Sequence, residues 1–244
     1  MHKSLRLGAL LLLSALAAAA GDLTIGMKGT GKNSEGVQTH YWSTKFMRIN
    51  HPGTQMDTLV DYDKGMNYTI NHSKKTIEFF SWDDLEAMAE GAARQMKDIP
   101  PQILAMMPGG GGGEVTVDNE GKEKVVGRTC QKWVITAGKM VFETCNDPSL
   151  KPPVPAVSLA RFLKLRNLMG AMGPAAAQMR KVGEEMAKIQ GMALKTRTVL
   201  PFVGEVTTEA TEVKEGPIPA STFDLPAGYK SIDRGKELSK SFKH

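Results

Sequence analysis

The amino-acid sequence predicts an α+β fold, with an antiparallel sheet carrying its helices on one side. Two observations predict it. Segments of period-two alternation come in runs that are interrupted twice by segments of helical period. The strand runs are joined by short turns, which suits antiparallel neighbours. No internal repeat and no firm linker divides the chain, so a single domain is expected over residues 21–232.

Leu23 to Lys28 reads as a strand, followed by a loop of Gly, Lys, Asn and Ser from Gly29 to Gly36. Val37 to Asn50 reads as one long extended segment ending in the turn His51-Pro52-Gly53. Met56 to Tyr62, Met66 to Asn71 and Thr76 to Phe80 read as the next strands, around turns at Asp63-Lys64-Gly65 and His72 to Lys75. Met66, Tyr68 and Ile70 alternate with Asn67, Thr69 and Asn71, as a half-buried strand requires.

The period then changes. Ser81 and Asp84 resemble a capping box. Leu85, Met88, Ala89, Ala92 and Met96 share one face of a helix running to about Lys97. Pro100, Pro101 and five glycines, Gly109 to Gly113, read as a loop. Strands resume at Glu114 to Asp118, Lys124 to Thr136 and Lys139 to Cys145. Ser158 to Gln190 is helical in pattern, divided at Gly173-Pro174 because a mid-helix proline removes a hydrogen bond and clashes with the preceding turn. Ala193 to Leu200 and Gly204 to Val213 read as two further strands, and Pro217 to Tyr229 as an extended stretch. Residues 233–244 read as a basic, solvated and disordered tail.

The N-terminus points to export. His2, Lys3 and Arg6 precede an apolar run from Leu7 to Leu16 and small residues from Ala17 to Ala20, the layout of a cleaved secretory signal over residues 1–20. The apolar run is about half of the roughly 20 residues a spanning helix needs, and no later stretch reads as a membrane span. A periplasmic or secreted protein is expected. The chain of 244 residues carries 31 basic and 26 acidic side chains; without Lys3 and Arg6, 29 basic face 26 acidic. That mixed surface gives no nucleic-acid footprint. Two cysteines suit an oxidising compartment. A turn at Ala137-Gly138 would set Cys130 opposite Cys145, within reach of a disulfide, with two free thiols or a register shifted by a longer turn as the alternatives.

Val60 to Thr76 resembles a strand–turn–strand segment of an uncharacterised family of exported bacterial proteins, itself similar to the LolA/LolB-like outer-membrane lipoprotein carriers. Lys124 to Trp133 and Pro219 to Tyr229 resemble two further recurrent segments of that family. The resemblance implies a strongly curved, incompletely closed antiparallel sheet with helices on its concave face. In the carriers that concave space holds acyl chains, and no catalytic residue is implied. The chain departs from the carriers in its glycine run and its methionine-rich helical segment, and it lacks the anchor cysteine of a LolB-type acceptor.

Candidate chemistry is sparse. Gly26 to Asn33 approaches a phosphate-binding loop, but Asn33 stands where a magnesium-binding Ser or Thr is needed, and no long helix follows. His40, His51, His72 and His244 lack metal spacing, and His51 and His72 read as solvated turn residues near Asp61 and Asp63. Asp83, Asp84 and Glu86 read as helix-start charges. Asn67 and Asn71 begin sequons that matter only in a eukaryotic secretory path. No metal, cofactor or catalytic constellation is expected. The methionines are more suggestive, because thioethers repack around irregular apolar ligands. The functional expectation is a hydrophobic-ligand site lined by Tyr68, Ile70, Trp133, Met172, Met179 and Met186, for a lipid or acylated partner. The alternatives are that these helix faces simply seal the sheet, that methionine holds Cu(I), and that the chain binds an envelope protein without a small ligand.

Overall fold

The computed structural model describes residues 21–31, 35–97, 114–170, 174–200 and 204–241. The proposed signal (1–20), Gly109 to Gly113 and Met172 lie outside the described residues.

Six strands form an N-terminal meander: β1 (Leu23–Thr30), β2 (Gly36–Trp42), β3 (Phe46–His51), β4 (Met56–Asp61), β5 (Met66–Asn71) and β6 (Thr76–Ser81). Helix α1 (Trp82–Lys97) follows. Strands β7 (Val115–Val125), β8 (Arg128–Ala137) and β9 (Met140–Asp147) precede helices α2 (Ala156–Gly170) and α3 (Pro174–Met186), and β10 (Met192–Leu200) and β11 (Gly204–Glu215) complete a second meander. Pairing of β1 with β11 joins the two meanders into one sheet of 12 strands, which is curved and does not close. The helices lie against its concave face.

The expected elements hold, with local corrections. Val37 to Asn50 is two strands rather than one. Ser43 accepts hydrogen bonds from the backbone N–H of Lys45 (3.3 Å) and Phe46 (2.9 Å), turning the chain between β2 and β3. Lys124 to Thr136 is likewise broken, by a two-residue turn at Val126 (φ 50°) and Gly127 (φ 73°), a pair of positive angles that matches the right-handed twist of a hairpin. The next turn is Gly138-Lys139, not Ala137-Gly138, so Ala137 faces Met140 and Cys145 faces Lys132. Cys130 and Cys145 are therefore diagonal neighbours, and they still bridge, with Cα atoms 5.3 Å apart.

Helix α1 starts at the expected capping box. Ser81 donates from its backbone N–H (2.8 Å) and hydroxyl (2.6 Å) to the Asp84 carboxylate, and Asp84 N–H returns a bond to Ser81 Oγ (3.1 Å). Pro174 opens α3 as its fixed φ favours.

The C-terminal stretch corrects the reading most. Ala220–Phe223 forms a short 3-10 turn, and Lys230–Asp233 forms β12, which pairs parallel with β6 at the sheet edge. The tail expected to be disordered from residue 233 instead continues into helix α4 (Arg234–Ser241). Arg234 reaches back to Glu78 on β6 with two bonds of 2.9 and 2.8 Å.

The segment before β12 crosses the back of the first meander. Leu59, Ile70, Ile77 and Phe223 form a buried cluster there, with Tyr41, Phe46, Tyr68, Ile218 and Tyr229 packed against it. Phe223 stacks on Phe46 at 5.2 Å. Arg48 donates to the carbonyls of Thr222 (2.8 Å) and Asp224 (3.1 Å) and to the Asp57 carboxylate (2.7 Å). His72 links Asp57 (2.9 Å) to the Tyr229 hydroxyl (3.1 Å). His51 is buried and its backbone N–H points to Asp57. His51 is thus buried rather than solvated, and His72, in its expected turn and 34 % exposed, is tied into this clamp through Asp57 and Tyr229.

A different histidine makes stability depend on pH. Burial pushes the His40 imidazole down from 6.5 to about 4, because desolvation penalises the charged ring. The unfolded chain then takes up the proton first. This contribution to stability is whole above pH 6.5 and is lost as pH falls toward 4. Urea unfolding should show a lower midpoint at pH 5 than at pH 7, and His40→Gln should flatten that difference; an unchanged pH dependence in the variant would place its origin elsewhere.

Candidate functional site

The other face of the first meander is covered differently. Register sets Trp42 opposite Met47, Met47 opposite Val60 and Val60 opposite Asn67, a single row running across β2 to β5. Above this row lie α1, the start of α2 and the segment leading into α2. They do not fill the space. A cavity of about 500 Å³ remains, floored by the row together with Thr58 and Tyr62, and roofed by Trp82, Leu85, Val154 and Leu159. A site for a small apolar ligand occupies roughly 300–1,000 Å³.

The cavity's rim is charged but balanced. Arg161 donates to Glu86 (2.9 Å) and to Asp83, and Lys164 donates to Glu86 (2.7 Å). These two cations hold the Glu86 carboxyl below its usual range, Lys164 foremost. The Arg161 guanidinium also lies 5.4 Å from the centre of the Trp82 ring. The rim therefore staples α2 to the N-terminal turn of α1. Inside, burial pushes the Tyr62 hydroxyl up to about 12. Trp42 Nε1 and Asn67 Nδ2 are buried without a hydrogen-bond partner.

The described residues among those singled out by sequence lie elsewhere. Tyr68 and Ile70 alternate with Asn67 on β5, so they face the opposite side, under Phe223 and Tyr229. Trp133 is half-buried on β8 opposite Thr144 and takes no part in the cavity wall. Met179 and Met186 are 43 % and 41 % exposed on α3. Val182, between them, is the buried residue, packed with Ile135, Ala137 and Phe142. These two methionines sit at the margin of a seal on β8 and β9, and neither lines the cavity. Asn67 Nδ2 is buried, so the sequon there is closed to modification in the folded chain.

The residues that do form the site carried weak signals. Trp42 and Met47 sit in the stretch read as one continuous strand, where the missed turn at Ser43 hid their pairing. Met47 and Trp42 were legible as apolar, but not as neighbours.

Removing the staple should open the roof. Arg161→Ala should raise the quenching of tryptophan fluorescence by acrylamide, because Trp82 loses its cover, while the far-ultraviolet spectrum stays the same. Unchanged quenching would mean that α2 is held over the cavity by apolar packing alone.

Comparison with curated proteins finds no match. Among solved structures, an uncharacterised conserved protein from Thermus thermophilus is similar over 88 % of this chain and 91 % of its own, at 9 % identity and a TM-score of 0.48. The MucA/MucB complex of Pseudomonas aeruginosa gives 12 % identity and a TM-score of 0.42, over 88 % of this chain and 59 % of the matched one. A LolA superfamily protein from Nitrosomonas europaea gives 7 % identity and a TM-score of 0.26, over 84 % and 90 %. Residues 23–229, from the first strand to the clamp tyrosine, match one family model, and the chain belongs to that family, a domain of unknown function designated DUF4412.

Proposed function

We propose that this is an exported, non-enzymatic protein that binds a hydrophobic ligand, a lipid or an acylated partner, between its sheet and its helices. The observation that carries the reading is the apolar cavity of about 500 Å³ over the Trp42–Met47–Val60–Asn67 row. Burial of apolar ligand surface against these walls would supply the driving force. Export is supported by the layout of residues 1–20 and by the Cys130–Cys145 bridge, which suits an oxidising compartment. Among the described residues, no helix is long and apolar enough to cross a membrane.

The site's titratable groups support a binding role. Glu86, the carboxylate among the described lining residues, is held ionised by Lys164 and Arg161, and Tyr62 is pushed up to about 12. Neither is poised to exchange a proton near neutral pH, which general acid–base catalysis requires.

A second reading, an envelope module that binds a protein, is favoured by the outer side of α2, where the apolar Val157 is 76 % exposed. The long sheet edge argues against strand addition as its mode. Strand β7 carries Asp118, Glu120, Lys122, Glu123 and Lys124, charges that discourage edge pairing.

Filling the cavity separates the readings. Val60→Trp should weaken binding of a neutral fluorescent probe with an apolar chain at least tenfold without lowering the melting temperature, while Met179→Asp should leave binding as it was. Equal binding by Val60→Trp and the parent chain would refute a ligand at this site.

A further inference from the structure

The cavity's walls are apolar, yet two of the three buried side-chain donors or acceptors without a partner among the described residues belong to it: Trp42 Nε1 and Asn67 Nδ2. Both end the same transverse row, with Met47 and Val60 between them. A buried polar group left unpaired is destabilising, and apolar replacements of similar shape avoid that cost. Phe and Leu would serve a purely hydrocarbon site better. An indole N–H can only donate, and so can the amide nitrogen of Asn67.

The rim adds a second constraint. A bound carboxylate or phosphate would need an uncompensated cation. The cations at the mouth, Arg161 and Lys164, already face two carboxylates, Glu86 and Asp83. The site therefore offers donors without net positive charge. We propose that the cavity selects ligands whose apolar chain carries a neutral acceptor oxygen, an acyl ester or acyl amide, with Trp42 Nε1 or Asn67 Nδ2, at the two ends of the row, as the donor to that oxygen. This rests on the apolar-ligand reading above and names the chemical class of the ligand.

The selection acts through hydrogen bonds that bare hydrocarbon cannot make. Neither donor has a hydrogen-bond partner among the described residues. An ester or amide carbonyl entering with its chain pairs one of them without bringing in a charge. A fatty-acid anion brings a charge for which the balanced rim has no partner, so it should bind more weakly than its own methyl ester.

The test uses the full chain, stripped of lipid, with methyl decanoate, dodecane and decanoate as probes in a displacement assay. The variants are Trp42→Phe, Asn67→Leu and the double variant. The double variant should lose roughly fivefold or more of its affinity for methyl decanoate, about the worth of one net hydrogen bond. Its affinity for dodecane should hold or rise. The single variants report which donor the ester uses. Melting temperatures of the variants should not fall, because each removes an unpartnered buried donor. Parallel changes for ester and alkane, or no change for either, would overturn the proposal while leaving the cavity reading intact. Failure of the parent chain to bind any of the three would overturn the cavity reading itself. Competition with a diacylglycerol and with a diacylglyceryl-cysteine peptide then separates a membrane lipid from an acylated protein as the source of the acyl ester. Displacement by either supports the proposal, and displacement by neither counts against it.

Discussion

A carboxylate buried behind the sheet, that of Asp57, organises the first half of the molecule. It is 6 % exposed and receives Arg48 at 2.7 Å and His72 at 2.9 Å. Burial by itself would raise its pKa, but the bonds from Arg48 and His72 outweigh that and hold it below its ordinary value. A buried ion pair of this kind is weak evidence for net stability, since desolvation offsets much of the attraction. Its effect is positional. Arg48 also grips two carbonyls of the C-terminal segment, and His72 reaches Tyr229, so the chain's own end is laid over the back of β3 to β5.

The cavity follows from that arrangement. Side chains on a strand alternate between faces, so covering one face leaves the other to be covered separately. On the back, Leu59, Ile70 and Ile77 are sealed by Phe223. On the front, among the described residues, the row from Trp42 to Asn67 is met by α1, α2 and the segment before α2. Those elements are held at their ends by the capping box at Ser81 and by Arg161 between Glu86 and Asp83. A roof fixed at its rim and not packed on its floor leaves a space. Elsewhere α3 does pack down, with Val182 1 % exposed against β8 and β9. The far end of the sheet has a different character, with charges of alternating sign, Glu120, Lys132, Glu143, Arg197 and Glu205, paired in sequence across β7 to β11.

Much of the architecture is legible in the sequence. The alternation of Met66 to Asn71 fixes β5 to the residue, and the capping box and Pro174 mark two helix starts. The corrections share a cause. Ser43, Val126 and Gly138-Lys139 are turns whose decisive feature is a side-chain bond or a positive φ, and neither leaves a break in hydrophobic period. Slipping a turn by one residue moved the predicted partner of Cys130, and the small side chains bridged on the diagonal regardless. The site was harder to read. Periodicity says that Tyr68 and Ile70 share a face, but not which face is capped by a segment 150 residues away. The sealing face of α3 is carried by Val182, and Met179 and Met186 lie at its partly exposed margin. Trp42 and Asn67 become meaningful only once the register of β2 to β5 is known.

In the working protein, the space above the Trp42–Met47–Val60–Asn67 row is proposed to hold an apolar ligand. Native mass spectrometry of the protein isolated from the cells that make it, followed by lipid extraction, tests this most directly. The account predicts one tightly retained acyl-bearing ligand per chain, released on unfolding. A single mass equal to that of the polypeptide alone, together with no uptake of offered acyl esters, would contradict it and leave the exposed face of α2 as the surface to explain.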